Sequence, residues 1–341
     1  MTKTSSASSE STAPLAISAD EALARLTPYM SEDRGRSARI FWGAWGLVLG
    51  LVLGVVFIDL LVIRLALAVL LGGMFTRLFV IFHDTEHGAI FRQDAFKRSV
   101  MRIFSYLVAA PPTVWKDGHT KHHRETGVYD EQISGEFPVW TVERYRNANA
   151  FDRFIYRLMR NPLTIAFGYA SAFVIGSCVL PFIENPSRHW RGPVALFAHF
   201  GLIAILWATL GWQVAITLLV IPALIAGGLG AYLIYVQHNM PGLDYAAKET
   251  RSPIFSAFRT ATFFKMNGFM HWVTANIGFH NVHHLAPRIP FYRLPAAMAA
   301  LPELRDCVTE TSWSLRDMRA AFRANLYDPA IGMVRYAAAR G

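Results

Sequence analysis

Long uncharged, apolar runs alternate with basic, polar stretches along this chain. Ile40–Ile58 is 19 residues without a charge, and Leu65–Phe82 is 18 residues interrupted only by Arg77. Gly192–Leu243 continues for 52 residues without Asp, Glu, Lys or Arg. A helix rises about 1.5 Å per residue and a bilayer's hydrocarbon core is about 30 Å thick, so roughly 20 residues cross it. The first two runs therefore predict a transmembrane hairpin turning around Asp59–Arg64. The third is long enough for a second hairpin with a tight turn near Gly211–Gln213. The expected fold is an all-α integral membrane protein, with about four transmembrane helices in two hairpins and a helical cap on one side of the bilayer. Gly46, Gly50 and Gly54 recur at every fourth position of the first span. They predict a close-approach face, packed against the second span.

The chain then divides into an N-terminal region 1–39, a hairpin 40–82, a connecting segment 83–191, a hairpin 192–238 and a C-terminal region 239–341. Met1–Ser18 is rich in Ser, Thr and Ala and reads as a disordered tail with no secretory signal. One segment threatens this division. Pro162–Ile183 is uncharged and almost long enough to cross, and a crossing there would put later residues on the opposite side. It is poor in Leu, carries Gly168, Ser171, Gly176 and Ser177, and is bracketed by prolines. It is expected to lie in the interface or dip in and out. Near the C-terminus, Ser312–Ala324 places Leu315, Met318, Ala321 and Phe322 on one helical face, as in a helix that caps the domain or rests on the bilayer.

Composition agrees with this pattern: hydrophobic residues make up 53% and charged residues 17% of 341, unlike a soluble globule. Charge adds direction. Lys and Arg number five in Met1–Arg39, 12 in His83–Arg160 and 12 in Asn239–Gly341, while the Gly211–Gln213 turn has none and the first hairpin turn only Arg64. The positive-inside rule places both termini and the inter-hairpin segment in the cytosol. The net charge of +9 suits anionic headgroups or an acidic protein and calls for no nucleic acid. Cys178 and Cys307 form no metal-type pair.

The chemistry lies in the histidines. Eight of the 12 fall in three clusters: His83 and His87 in HDTEH, His119, His122 and His123 in HTKHH, and His280, His283 and His284 in HNVHH. His83 and His87 are spaced i, i+4 and share a helical face. In H-x-x-H-H the first two histidines are i, i+3 and the third points about 100° from its neighbour. Such a helix is expected to offer two imidazoles to one side and one to another. His238, in VQHNM at the cytosolic end of the fourth span, makes a ninth candidate. Nine imidazoles exceed the coordination of one ion and suit two, of zinc, copper, iron or nickel on ligand softness alone. Asp84, Glu86, Gln237, Asn239 and Asn276 are placed to orient the rings. His271 is expected to pack or to support a ligand, and His189 and His199 to be ordinary amphipathic side chains.

These boxes, H-x-x-x-H and two of H-x-x-H-H, resemble those of the integral-membrane fatty acid desaturase family. The stretches HDTEHGAIF, WKDGHTKHHRETG, YVQHNMPG and NIGFHNVHHLAPRIPFYRL are similar to bacterial and cyanobacterial acyl-lipid desaturases of the Δ12-like branch. The resemblance covers roughly residues 40–300. It implies a non-haem di-iron centre held by His83, His87, His119, His122, His123, His238, His280, His283 and His284, with O₂ as co-substrate. Some members add a water-mediated Asn four residues before the equivalent of His238, and Ile234 stands there in this chain. The implied reaction removes hydrogens from two neighbouring methylenes of a membrane-lipid acyl chain, leaving a cis double bond and water. Such C–H bonds are beyond side-chain acids and bases, so the metals must carry the chemistry.

Two electrons must come from a separate donor, since the chain has no HPGG haem motif, no flavin or nicotinamide signature and no iron–sulfur cysteine set. For a bacterial-type relative in the inner membrane, a ferredoxin is implied ahead of a cytochrome b5. The rival readings are a His-box oxygenase (a carotenoid ketolase/hydroxylase or an alkane hydroxylase) and a metal transporter. Transport would need ionisable groups deep in the spans, which offer only His199 and Arg77.

Overall fold

The computed structural model describes residues 17–130, 137–249, 251–305 and 307–339. The stretch 1–16, most of the expected disordered tail, lies outside the described residues. At its edge Ile17 is buried, and Ser18 caps the helix Ala19–Leu26 by accepting the Glu21 N–H at 3.2 Å. The described residues are mainly helical. Four helices are long and apolar enough to cross a membrane: Arg34–Phe57, Leu61–Glu86, Arg191–Leu210 and Trp212–Gln237.

Local chemistry sets the ends of these spans. Asp33 accepts the Arg36 N–H at 2.9 Å and starts the first span among charged residues. The first hairpin turns at 58–60. There Arg64 folds back, donating through Nε to the Val55 carbonyl at 3.0 Å and through Nη1 to Gln213 at 3.2 Å. That bond joins the two hairpins at their shared turn end. The second hairpin turns at Gly211, whose φ of +86° lies in the left-handed region that side chains avoid.

The spans are not equivalent. Spans two and four are 61% and 50% buried in the protein, whereas spans one and three are only 22% and 11% buried. Spans two and four therefore form an inner pair, flanked by outer helices whose Leu, Phe and Trp side chains face the surroundings. The contact within the pair is close at Gly72, where a Cβ would stand 2.7 Å from Ile225 Cβ. The glycine stripe on span one behaves differently from expectation. Only Gly54 meets span two, with a Cβ there 2.9 Å from a Leu67 methyl, while Gly46 and Gly50 face open space. A four-residue step drifts about 40° around the helix at each repeat, and the buried positions of span one are Phe41, Ala44, Val48 and Val55, so the stripe cannot follow the contact along the whole span.

Span two has 26 residues, about 39 Å at 1.5 Å per residue, against about 30 Å of hydrocarbon. A helix that long carries its last turn past the apolar layer, and that turn contains His83. The segment 162–183 forms the short helix Pro162–Ala166, a π-helix Tyr169–Val179 and the helix Leu180–Glu184. It crosses span four so closely that a Cβ on Gly168 would lie 2.3 Å from the Gly227 carbonyl oxygen. The remaining segments build a cap of short helices with two small sheets, which periodicity did not predict. Phe263–Lys265 pairs in parallel with Glu310–Ser312, and Leu326–Asp328 pairs antiparallel with Gly332–Val334.

Candidate metal centre

Four stretches of backbone deliver the histidines. His83 lies in the last turn of span two and His87 is its C-cap. His119, His122 and His123 ride on the helix Pro112–Glu125. His238 follows span four directly, and His280, His283 and His284 belong to the short helix His280–Leu285. The two inner spans thus supply three ligand positions at their ends, and the cap closes over them with six more.

The nine imidazoles form two groups. His83, His87, His119, His123 and His283 make one; His122, His238, His280 and His284 make the other, with the ligand atoms of each group within 4.8 Å of one another. Within the first, the Nε2 atoms of His119 stand 2.8 Å from His87 and 3.1 Å from His123, and those of His283 and His123 are 3.1 Å apart. Within the second, His280 Nε2 is 2.8 Å from His238 and 2.9 Å from His284, which is 3.0 Å from His122. The groups adjoin, since the His123 and His284 rings stack with centroids 4.3 Å apart.

The partition corrects the expected pairing. His119 joins His123, and His280 joins His284, both at i, i+4; His122 and His283 cross to the opposite groups. At 100° per residue a four-residue step returns to within about 40° of its start, whereas a three-residue step misses by about 60°. The nearer azimuth wins where several rings must meet at one point.

The donor set fits metal. With metal–imidazole bonds of about 2.1 Å, neighbouring donors at right angles stand about 3.0 Å apart and opposite donors about 4.2 Å. The observed Nε2 separations match the neighbouring case. Hydrogen bonds on the far side of three rings fix their tautomers. His238 Nδ1 donates to the Thr260 carbonyl at 2.9 Å, and His83 Nδ1 donates to Asp84 Oδ1 at 3.0 Å. His122 Nδ1 meets Thr126 Oγ1 at 3.1 Å, while that hydroxyl donates to the His122 carbonyl at 2.6 Å. With Nδ1 protonated, each of these rings turns an Nε2 lone pair inward.

Electrostatics agree. Burial pushes His87 down to about 3, aided by the adjacent His122 ring and the Lys116 ammonium. Burial first, and neighbouring imidazoles second, hold His119, His123, His280, His283 and His284 well below the usual histidine range. Those six rings, held neutral at physiological pH, are ready to ligate a cation without first losing protons.

Of the five residues expected to orient rings, Asp84 alone does so. Glu86 instead accepts from Arg102 at 2.7 and 3.2 Å. Gln237 donates to the Ile277 carbonyl at 2.9 Å, Asn276 to the Phe291 carbonyl at 3.1 Å, and Asn239 to the Ala321 carbonyl at 2.7 Å. The three amides bond to backbone carbonyls around the centre, while Glu86 pairs with the Arg102 side chain. Thr126 and Thr260 were missed. Thr126 stands at i+4 from His122 and was legible in principle, but a backbone carbonyl such as that of Thr260 leaves no trace in side-chain identity. His271 stacks on Phe279 with centroids 5.1 Å apart, outside both groups. His199 lies buried in span three, its Nε2 2.6 Å from the Tyr169 hydroxyl and its Nδ1 2.6 Å from the Leu107 carbonyl. It is a cross-link between the span and the cap rather than an amphipathic surface residue. His189 joins neither group.

Comparison with known proteins supplies an independent finding. Residues 59–312 match the family model described as fatty acid desaturase. A protein of Bacillus subtilis named fatty acid desaturase is 30% identical over 257 residues, covering 73% of this chain and 71% of that protein. A sn-1 oleoyl-lipid 12-desaturase of Picosynechococcus is 26% identical, covering 79% of this chain and 78% of its own. A Nostoc protein named sn-1 acyl-lipid omega-3 desaturase (ferredoxin) is 26% identical over 67% of this chain and 65% of its own.

Proposed function

Because this chain belongs to the fatty acid desaturase family, we propose that its two histidine groups hold a pair of iron ions and that it inserts a cis double bond into an acyl chain of a membrane lipid. One observation carries the proposal: imidazoles from four separate stretches of backbone turn their Nε2 atoms toward two adjacent points. The first ion would be held by His83, His87, His119, His123 and His283, and the second by His122, His238, His280 and His284. When bound, the iron pair supplies the oxidising chemistry: a saturated –CH₂–CH₂– unit, O₂, two electrons and two protons give –CH=CH– and two waters. The protein's own part is to hold the rings. Asp84, Thr126 and the Thr260 carbonyl lock Nδ1–H outward, and burial keeps His87, His119, His123, His280, His283 and His284 neutral. Trp115, stacked on His119 with centroids 4.4 Å apart, and Phe82, fully buried beside it, give the first group an apolar wall that limits water.

The same relation supports a separate electron donor of the ferredoxin type, the donor printed in the name of the Nostoc relative. A groove lined by Arg316, Arg319, Arg323 and Arg335 suits an acidic carrier of this kind. Its floor includes Pro241, three residues after His238 and therefore within about 11 Å of it along the chain. The charge distribution supports an orientation with both termini and the histidine centre in the cytosol, in a bacterial inner membrane. In that topology 40–82 and 192–238 are the hairpins, 162–183 stays at the interface, and 1–39, 83–191 and 239–341 are cytosolic.

Expression in a bacterial host that makes no polyunsaturated lipid tests the proposal. Mass spectrometry of the lipids should reveal one new double bond, at a single position, and purified protein should carry iron. A hydroxyl or ketone in place of the alkene would return the oxygenase reading. Metal-loaded protein with no lipid product, despite a supply of reduced ferredoxin, would end the proposal.

A further inference from the structure

The oxidative chemistry makes no use of a cleft of about 930 Å³ on the outer flank of span one. Its upper wall carries Arg36 and Arg39, and its far wall is formed by Arg77 of span two and Trp272. Arg77 is only 6% exposed. Its Nη1 donates to the Trp272 carbonyl, and its guanidinium lies 4.5 Å from the centroid of that residue's ring. Among the described residues no carboxylate pairs with Arg77, and its Nε and Nη2 have no acceptor. Arg36 stacks on Tyr292 at 4.6 Å and, like Arg39, has no acidic partner among those residues. Asp33, the one acid on the rim, accepts the Arg36 backbone N–H at 2.9 Å and pairs with none of the three guanidiniums. A buried guanidinium ordinarily has a counter-charge, because leaving its charge uncompensated in an apolar setting is costly. Three cations lining one cleft, one of them mostly buried, therefore call for an anion.

Below the arginines the wall becomes apolar along one face of span one. Ile40, Gly43 and Leu47 line it, and a Cβ on Gly43 or Gly46 would meet nothing within 4 Å. The missing side chains leave a smooth channel that continues from the charged rim into the hydrocarbon layer. An anionic group above and an alkyl chain below, joined at the polar–apolar boundary, describe a glycerophospholipid. Arginine favours phosphate oxygens through paired charge-assisted hydrogen bonds.

We propose that this cleft binds the phosphodiester headgroup of a membrane glycerophospholipid between Arg36, Arg39 and Arg77, with an acyl chain lying along the Gly43 and Gly46 face of span one. The site is separate from the metal centre but mechanically close to it. Phe291, whose ring lies 5.7 Å from the Arg77 guanidinium, gives its backbone N–H to Asp84 Oδ2 at 2.7 Å, and Asp84 holds His83.

The test uses the full-length iron-loaded protein and does not depend on desaturation, so failure of either proposal can be told from failure of the other. Native mass spectrometry would measure retention of dioleoyl-phosphatidylglycerol and of dioleoylglycerol, which has the same chains and no phosphate. The phospholipid should be retained about tenfold better than the diacylglycerol, and Arg36→Gln with Arg39→Gln should remove about that factor. Both residues are exposed, so folding is not at issue. Gly43→Leu, which fills the channel without changing charge, should lower retention of both lipids. Arg92→Gln with Arg153→Gln removes the same charge elsewhere and should leave retention unchanged. Equal retention of the two lipids, or an equal loss in the control pair, would overturn the proposal.

Discussion

Replacing Asp84 by Asn tests how the protein enforces its metal site. Each oxygen of the Asp84 carboxyl faces one donor, His83 Nδ1–H at 3.0 Å and the Phe291 N–H at 2.7 Å. Burial pushes the group up to about 8 against the pull of the Phe291 bond, and a cation held by the histidines favours the ionised form that accepts from both. Asn has the same shape but one acceptor oxygen, so its NH₂ must face one of those donors. No water can repair the loss, because Asp84 is 1% exposed and Phe291 3%. A buried donor left without an acceptor costs about 1–3 kcal/mol. If the NH₂ faces His83, the ring keeps its lone pair on the wrong nitrogen; if it faces Phe291, the loop after the third box shifts. Either way the expected loss of iron affinity is about 10–100-fold. Iron per protein, measured by plasma mass spectrometry after equilibration against a graded chelator series, reads this directly, and product yield should fall with it. Glu86→Gln is the internal comparison. Glu86 is also buried and lies two positions away, but it bonds Arg102 and touches no imidazole, so its iron affinity should stay within about twofold of wild type. Iron binding by Asp84→Asn that equals wild type, or that falls no further than in Glu86→Gln, would refute the orientation argument.

Three further outcomes follow from the same geometry. His283→Ala and His284→Ala should each cut bound iron from about two ions to about one and abolish product, because the two residues belong to different groups; iron analysis showing both ions intact in either variant contradicts the partition. Gly72→Leu forces atoms into Ile225, already 2.7 Å from a Cβ at that position, and should cost about 1–3 kcal/mol by overpacking the inner pair of spans. A thermal scan in detergent would show that loss, while Gly50→Leu, which faces open space, should leave the melting temperature unchanged. Combined Arg316→Gln, Arg319→Gln and Arg323→Gln should raise the KM for an acidic ferredoxin and flatten its dependence on salt, with iron content and the KM for lipid unchanged. An unaltered donor KM would remove the groove from electron delivery.

Much of the molecule was legible from local signals. Apolar, almost uncharged runs about as long as a bilayer is thick marked all four spans, and Gly211 marked a turn, because each depends only on neighbours in the chain. The histidines stood out for the same reason: eight of them in three short boxes, repeated at the end of apolar helices, leave few bland explanations. The limits are equally specific. The glycine stripe suggested contact along all of span one, yet contact is confined to Gly54, since stripe and partner diverge. The face shared by Leu315, Met318, Ala321 and Phe322 is also divided by tertiary packing: Phe322 stacks on Tyr235 at 5.2 Å, while Leu315 is 68% exposed.

What the sequence determined alone was the kind of protein, an all-α membrane chain with nine candidate imidazoles, and the family whose boxes it carries. Tertiary structure decided how those imidazoles divide, five to one centre and four to the other, with His122 and His283 leaving their box partners. It also chose the orienting groups, among them the Thr260 carbonyl and the Phe291 N–H that anchors Asp84 from 207 positions away. The physical reason is that spacing sets only the azimuth of a side chain on its own helix. Where a lone pair finally points depends on the depth, tilt and closeness of four backbone stretches, and those are settled by packing among residues remote in the chain.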